Sequence, residues 1–279
     1  MSALSRWFGR IIDRSLARSS ASSQLARSIR EKFLHDLRQQ ERYADLHRLT
    51  RSEHQVFSQG GEDGAIREIF RRIGESNLMF VELGVGNGLE NNTAFLLAQG
   101  WSGVWVEGSH KNCEAIRACL ASDISNGRLK LIEAAITAEN VSGLLSGALD
   151  TMELDLLSID VDRNTYHVWA ALDALKPRVA VVEYNAHFPA DLVWIADYDP
   201  SKWWNGTSYF GASLKALERL GAQMGYALVG CDIAGVNAFF VRSELVGDKF
   251  CAPFTAENHY EPVRYYLHGR AGHPPALHD

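Results

Sequence analysis

One stretch limits the fold of this chain more than any other. Leu78-Met79-Phe80-Val81-Glu82-Leu83 is an uninterrupted buried-strand run, and Gly84-Val85-Gly86-Asn87-Gly88 follows at once. A helical stretch from Asn92 to Gln99 comes next and is stopped by Gly100. Strand, glycine turn and helix in that order open a parallel α/β sheet. A turn without Cβ atoms lets a ligand lie against the main chain, and the helix start behind it favours negative charge. The next strand, Gly103-Val104-Trp105-Val106-Glu107, ends in an acid 21 residues beyond Gly86. A carboxylate at that tip can accept two hydrogen bonds from a ribose diol, so the pair points to a nucleoside cofactor. A dinucleotide fingerprint would place Gly or Ala at position 89, where this chain has Leu89. Glu82, two residues before the first glycine, suits a cationic ligand such as an amino group or a sulfonium.

Further strand signals follow at Leu129–Ile132, Leu154–Ile159 and Arg178–Val182, with a helix near 208–220 ending at Gly221. Tyr226–Val229 and Ala238–Val241 are joined by a short loop through Gly235, which makes them antiparallel. Val81 to Gly88, then Glu107, then Asp160 after a hydrophobic strand, resemble the class I S-adenosylmethionine-dependent methyltransferases over roughly residues 54–243. Phe57-Ser58-Gln59-Gly60-Gly61-Glu62-Asp63-Gly64, ahead of the first strand, resembles one branch of that superfamily. The resemblance implies an α/β fold, a Rossmann-like seven-stranded and mostly parallel sheet with an antiparallel last strand. It implies that Gly84, Gly86 and Gly88 line S-adenosylmethionine, that Glu82 faces its methionine amino end, and that Glu107 holds the ribose. Ala134 and Ala135 would border the adenine, Ser58 and Gln59 would reach the methionine end, and Asp160 would lie beside the cofactor.

Asp160-Val161-Asp162 follows the fourth strand and Glu183-Tyr184-Asn185-Ala186-His187 the fifth, so both segments border the same crevice. Oxygen-rich groups there suit a hard divalent cation such as Mg2+ or Mn2+. The arrangement is partly similar to that of catechol-type O-methyltransferases, with Asp160, Glu183 and Asn185 as candidate ligands. The usual lysine is absent from Asp162-Arg163-Asn164. Without a metal, His187 or Asp162 is a candidate base for an acceptor proton, with Asp160 beside them. The plainer alternatives are a helix-capping Asp160, a buried and paired Glu183, and a satisfied loop histidine.

Trp194, Tyr198, Trp203, Trp204, Tyr209 and Phe210 crowd 17 residues, and three of the seven tryptophans fall among them. Trp203, Trp204 and Tyr209 are candidates to stack on a sugar ring, unless they only pack the loop.

Charge divides the chain. Residues 1–51 carry a net +6 and the remainder −12, a balance on the main domain that argues against nucleic acid. Arg6, Arg10, Arg14 and Arg18 recur every four residues beside Trp7, Phe8, Ile11 and Ile12, and Leu25, Ile29, Phe33 and Leu37 repeat the spacing. Two amphipathic helices result, for packing, for homo-oligomerisation through residues 1–50, or for contact with a membrane's inner face. The expected layout is a helical extension at 1–52, a methyltransferase domain at 53–245 with an aromatic insert at 186–210, and an irregular tail at 246–279. Four cysteines without metal or disulfide spacing, and no apolar run near the ~20 residues of a membrane span, indicate a cytoplasmic protein. The expected activity is O-methylation of a small molecule or saccharide. N-methylation, a non-catalytic cofactor-binding partner subunit and a nicotinamide-dependent sugar enzyme are the alternatives, the last disfavoured by Leu89.

Overall fold

The computed structural model describes residues 20–149, 153–267 and 277. The arginine-rich stripe at 6–18 and most of the tail beyond 267 lie outside the described residues.

Seven strands form one sheet: β1 (Met79–Leu83), β2 (Ser102–Glu107), β3 (Leu129–Glu133), β4 (Leu156–Ile159), β5 (Val179–Glu183), β6 (Tyr226–Cys231) and β7 (Asn237–Arg242). Their spatial order is β3-β2-β1-β4-β5-β7-β6. β1 to β5 pair in parallel, and β7 runs antiparallel to both of its neighbours. This is the Rossmann-like, seven-stranded and mostly parallel sheet with an antiparallel last strand that the sequence implies.

Alternation along the central strands sends side chains to two cores. Val81 and Leu83 pack with Leu157, Ile159, Ala180 and Val182 on one face. That face is covered by α6 (Val141–Ser146), α7 (Thr165–Ala170) and α8 (Leu214–Gln223). Phe80, Trp105, Leu156 and Val181 face the other way. They meet α2 (Glu62–Ile73), α3 (Ala94–Ala98), α4 (His110–Cys119) and α5 (Ala121–Ser125). Phe80 lies directly on β2, where a Cβ on Gly103 would come within 2.3 Å of its ring.

Two expectations about element limits are corrected. Gly221 does not stop α8, which continues to Gln223; a Cβ there would stand 2.9 Å from Phe240, so glycine permits close helix–sheet packing. The tail is not wholly irregular either. α9 (Ser243–Val246) leads into it, and it contains α10 (Ala256–His259) and a 3-10 turn at Tyr265–Leu267.

Both ends of the described chain belong to the same body. α1 (Ser20–Arg38) brings Leu37 to Tyr43, Ile233 and Leu267 in a small apolar cluster. The Tyr43 hydroxyl donates to Glu261 Oε2 at 2.7 Å, and the Tyr184 hydroxyl to the Glu261 carbonyl at 2.6 Å. No described helix is long and apolar enough to cross a membrane.

Candidate active site

A cavity of about 630 Å³ opens at the carboxyl ends of β1, β2 and β4. Its floor is the glycine turn. Gly84 has φ +80°, and a Cβ there would overlap the Asp160 carbonyl oxygen at 1.8 Å. Gly86 has φ +57° and nothing within 4 Å of its Cβ position, so its bare face is open. Gly84 and Gly86 line the cavity, whereas Gly88 does not. A Cβ on Gly88 would come within 2.9 Å of both Ile116 and Trp105, so that glycine serves packing behind the turn.

Glu107 closes the turn from the side. Its Oε2 accepts from the Gly86 N–H at 2.9 Å and its Oε1 from the Ser109 N–H at 2.7 Å. Glu82 is committed more deeply. Its carboxylate accepts from Asn91 Nδ2, the Asn92 and Thr93 N–H groups, the Thr93 hydroxyl and the Ser158 hydroxyl. Burial pushes the Glu82 carboxyl up while these bonds oppose the shift. The residue lines the cavity, but its carboxylate is the anchor of the 91–93 segment, with no oxygen left bare. Asn91 and Asn92 are wall residues that sequence reasoning missed; Asn91-Asn92-Thr93 reads only as a glycosylation pattern when the acid across the turn is unseen.

Gln59 reaches the wall. Ser58 does not, because its hydroxyl donates to Asp63 Oδ2 at 2.8 Å. That oxygen also accepts from the N–H groups of Val56, Phe57 and Ser58, which folds the segment before α2 into a tight nest. Glu62, unforeseen, lines the cavity and accepts from the Gly60 N–H at 2.9 Å. Where the sequence resemblance puts the adenine, Ile136 lines the cavity rather than Ala134 or Ala135, which lie beside Gly108.

Asp160, Asp162 and Glu183 offer carboxylate oxygens within 4.8 Å of one another. Burial, with Asp162 beside it, pushes the Asp160 carboxyl up to about 7. Burial and the adjacent Asp160 push Glu183 well above the usual range, and a hydrogen bond joins the two. Such a pair holds one proton between two oxygens. Asp162 sits at φ +53°, a left-handed conformation that costs a residue with a Cβ of order 1–3 kcal/mol and turns it toward the cavity rim.

Three expectations fail here. Asn185 is not a ligand: its Nδ2 donates to the Ser208 and Phe210 carbonyls, both at 2.8 Å, and its Oδ1 accepts from the His187 N–H at 3.2 Å. It is a buried staple for the aromatic loop. His187 is exposed, leans on Asn185 and Tyr265, and does not line the cavity. Of the three acceptor aromatics only Trp203 reaches the cavity. The Trp204 ring N–H donates to the Thr207 carbonyl at 2.6 Å. Tyr209 lies edge-on to Trp194 under the Arg163 guanidinium, its hydroxyl donating to Asp197.

Comparison of the sequence finds no matching protein-family profile and no matching curated protein. Solved structures do match. The N-terminal domain of EvdMO1 with SAH bound is 14% identical over 77% of this chain and 94% of its own, with a TM-score of 0.42. An S-adenosylmethionine-dependent methyltransferase from Clostridium acetobutylicum is 10% identical over 76% and 98%, with a TM-score of 0.40. A precorrin-6y C5,15-methyltransferase from Geobacter metallireducens is 14% identical over 68% and 92%, also at 0.40.

Proposed function

We propose that this chain transfers a methyl group from S-adenosylmethionine to an oxygen of a small hydroxylated molecule or saccharide. The observation that carries the reading is one cavity wall on which the bare Gly84–Gly86 turn, the Glu107 carboxylate and the Asp160 carboxyl meet. Bound there, S-adenosylmethionine supplies a methyl carbon on a sulfonium for in-line displacement by the acceptor. Gly86 leaves the main chain accessible, and the remaining lone pairs of Glu107 accept from ribose hydroxyls. Asp160 and Asp162 are placed to take the acceptor proton as its oxygen bonds to the methyl carbon. Holding the reacting atoms ~3–3.5 Å apart supplies several kcal/mol of the barrier reduction. Trp203, 62% exposed at the cavity mouth, offers a flat face to a sugar ring.

The same acids fit a hard divalent cation such as Mg2+ or Mn2+. Their oxygens converge, and Glu183 Oε2 is buried with no donor among the described residues. Asp160, Asp162 and Glu183 would hold the ion, which would supply Lewis-acid polarisation of the acceptor oxygen.

The test is incubation with methyl-labelled S-adenosylmethionine and a panel of neutral sugars and phenols, with and without EDTA. Label in an O-methyl product supports the reading, and its loss with EDTA assigns the metal. S-adenosylhomocysteine binding with no acceptor labelled would favour the non-catalytic partner subunit instead.

A further inference from the structure

On the β7 side of the cavity stands a group that the proposed reaction does not use. Asn237 opens β7 in register with Glu183, is 4% exposed, and lines the cavity. Its Nδ2 donates to Glu62 Oε1 at 3.2 Å, which fixes the amide: turned over, its oxygen would face a carboxylate. Asn237 Oδ1 is therefore the free atom, buried and without a donor among the described residues. A buried carbonyl oxygen left bare is costly, so it is a place where a ligand's N–H or O–H gains most.

The charge around it selects between those donors. Glu62 is buried on the same wall, and Asp232 lies behind, accepting from the Asn237 N–H at 2.6 Å. Glu53 reaches the same hairpin through the Ile233 N–H at 2.9 Å. Burial, then the negative charge of Glu62, pushes Asp232 up to about 8. Burial and Asp232 likewise push Glu53 well above the usual range, with Arg38 as the cation that opposes the shift. Among the described residues the one cationic side chain on the cavity wall, Lys202, is paired with Asp199 at 3.0 Å. A hydroxyl would satisfy the bare oxygen but bring no charge to the buried Glu62 carboxylate beside it, which accepts from the neutral Gly60 N–H and Asn237 amide; a protonated amine answers both.

We propose that Asn237 and Glu62 form an ammonium subsite of the cavity, seating a protonated primary amine of the ligand. Asn237 Oδ1 accepts one N–H, and a free lone pair of Glu62 accepts another. The subsite rests on the same cavity as the proposed methyl transfer and takes its amine from one of two sources. These are the α-amino group of the cofactor's methionine end and an amino group on the acceptor.

Calorimetry on the full chain compares S-adenosylhomocysteine with its analogue lacking the α-amino group. Ligand-observed NMR compares glucosamine with glucose on the same protein. Each is repeated on Asn237→Leu and Glu62→Gln. If the amine is the cofactor's, wild type prefers S-adenosylhomocysteine over the deaminated analogue by at least tenfold, and both variants lose that preference. If it is the acceptor's, glucosamine is preferred over glucose, and the variants abolish that preference while leaving S-adenosylhomocysteine binding intact. Each preference is a ratio within one protein, so a general loss of stability does not mimic it. A wild type indifferent to the amine in both pairs, or variants that keep the wild-type ratios, overturns the subsite. Failure of all nucleosides to bind sinks the methyltransferase reading instead, and the sugar pair then decides the subsite alone.

Discussion

Glu107 and Gly86 are joined by a single hydrogen bond of 2.9 Å, and that bond ties the acid at the end of β2 to the turn after β1. Replacing Glu107 with Ala leaves the Gly86 and Ser109 N–H groups without their acceptor and removes the proposed ribose partner. Calorimetry should show S-adenosylhomocysteine binding weakened by ~1–3 kcal/mol. The glycines separate by role. Gly84→Ala forces a Cβ into the Asp160 carbonyl at φ +80°, so urea unfolding should reveal a loss of at least ~2 kcal/mol. Gly88→Ala should act on stability through Trp105 and Ile116 and spare cofactor affinity. The acids at strand ends were legible in the sequence because a polar residue after an apolar run marks a strand's exit. The split among three adjacent glycines was not, since each has positive φ and only the neighbouring elements distinguish them. Asn185 was misread for a related reason: an amide after a strand looks the same whether it binds an ion or two carbonyls 23 and 25 residues away.

At the scale of elements, the seven strands and their directions follow from alternating apolar runs and the short loop between β6 and β7. The aromatic segment resisted such reading because its rings carry no period. They are held by long-range bonds: Asn185 to Ser208 and Phe210, Asn164 to the Asp199 carbonyl, and Ser213 to the Leu192 carbonyl. Asn185→Leu removes two of these and leaves two carbonyls unpaired. Amide exchange across 205–213 should quicken in that variant by at least tenfold while the central strands stay protected. Exchange that changes uniformly over the sheet would mean that Asn185 supports the core rather than the loop. Trp203→Ala should weaken saccharide binding by about 1 kcal/mol, read by saturation-transfer NMR, whereas Trp204→Ala should leave it unchanged.

For the molecule as a whole, the segments before and after the expected domain limits close over the sheet together. Leu49 packs beneath Gly230, Arg48 donates to Asn258, and Tyr43 and Arg264 bind Glu261. The tail's part in this was illegible because it has no hydrophobic period; its contacts are scattered apolar residues such as Phe250, Ala256 and Leu267, together with single buried polar groups. His259 is one of them. Burial, then Arg48, lowers its pKa to about 3, against about 6.5 in the unfolded chain. The folded state refuses a proton that the unfolded state accepts, so stability falls as pH drops from about 6.5 toward 3. By pH 5 the loss is ~2 kcal/mol. Relative to His259→Gln, wild type should lose that much more between pH 7.5 and 5 in urea titrations. Parallel curves for the two proteins would show that the imidazole does not govern acid stability.

The measurement that bears most directly on the whole account is titration of the full chain with S-adenosylhomocysteine and, separately, with NAD. Saturable one-to-one binding of the first, abolished or greatly weakened in Glu107→Ala, and no heat from the second, is the predicted result. Binding of NAD in its place, or an affinity for S-adenosylhomocysteine that Glu107→Ala leaves untouched, would contradict the placement of an adenosyl cofactor on the Gly84–Gly86 turn.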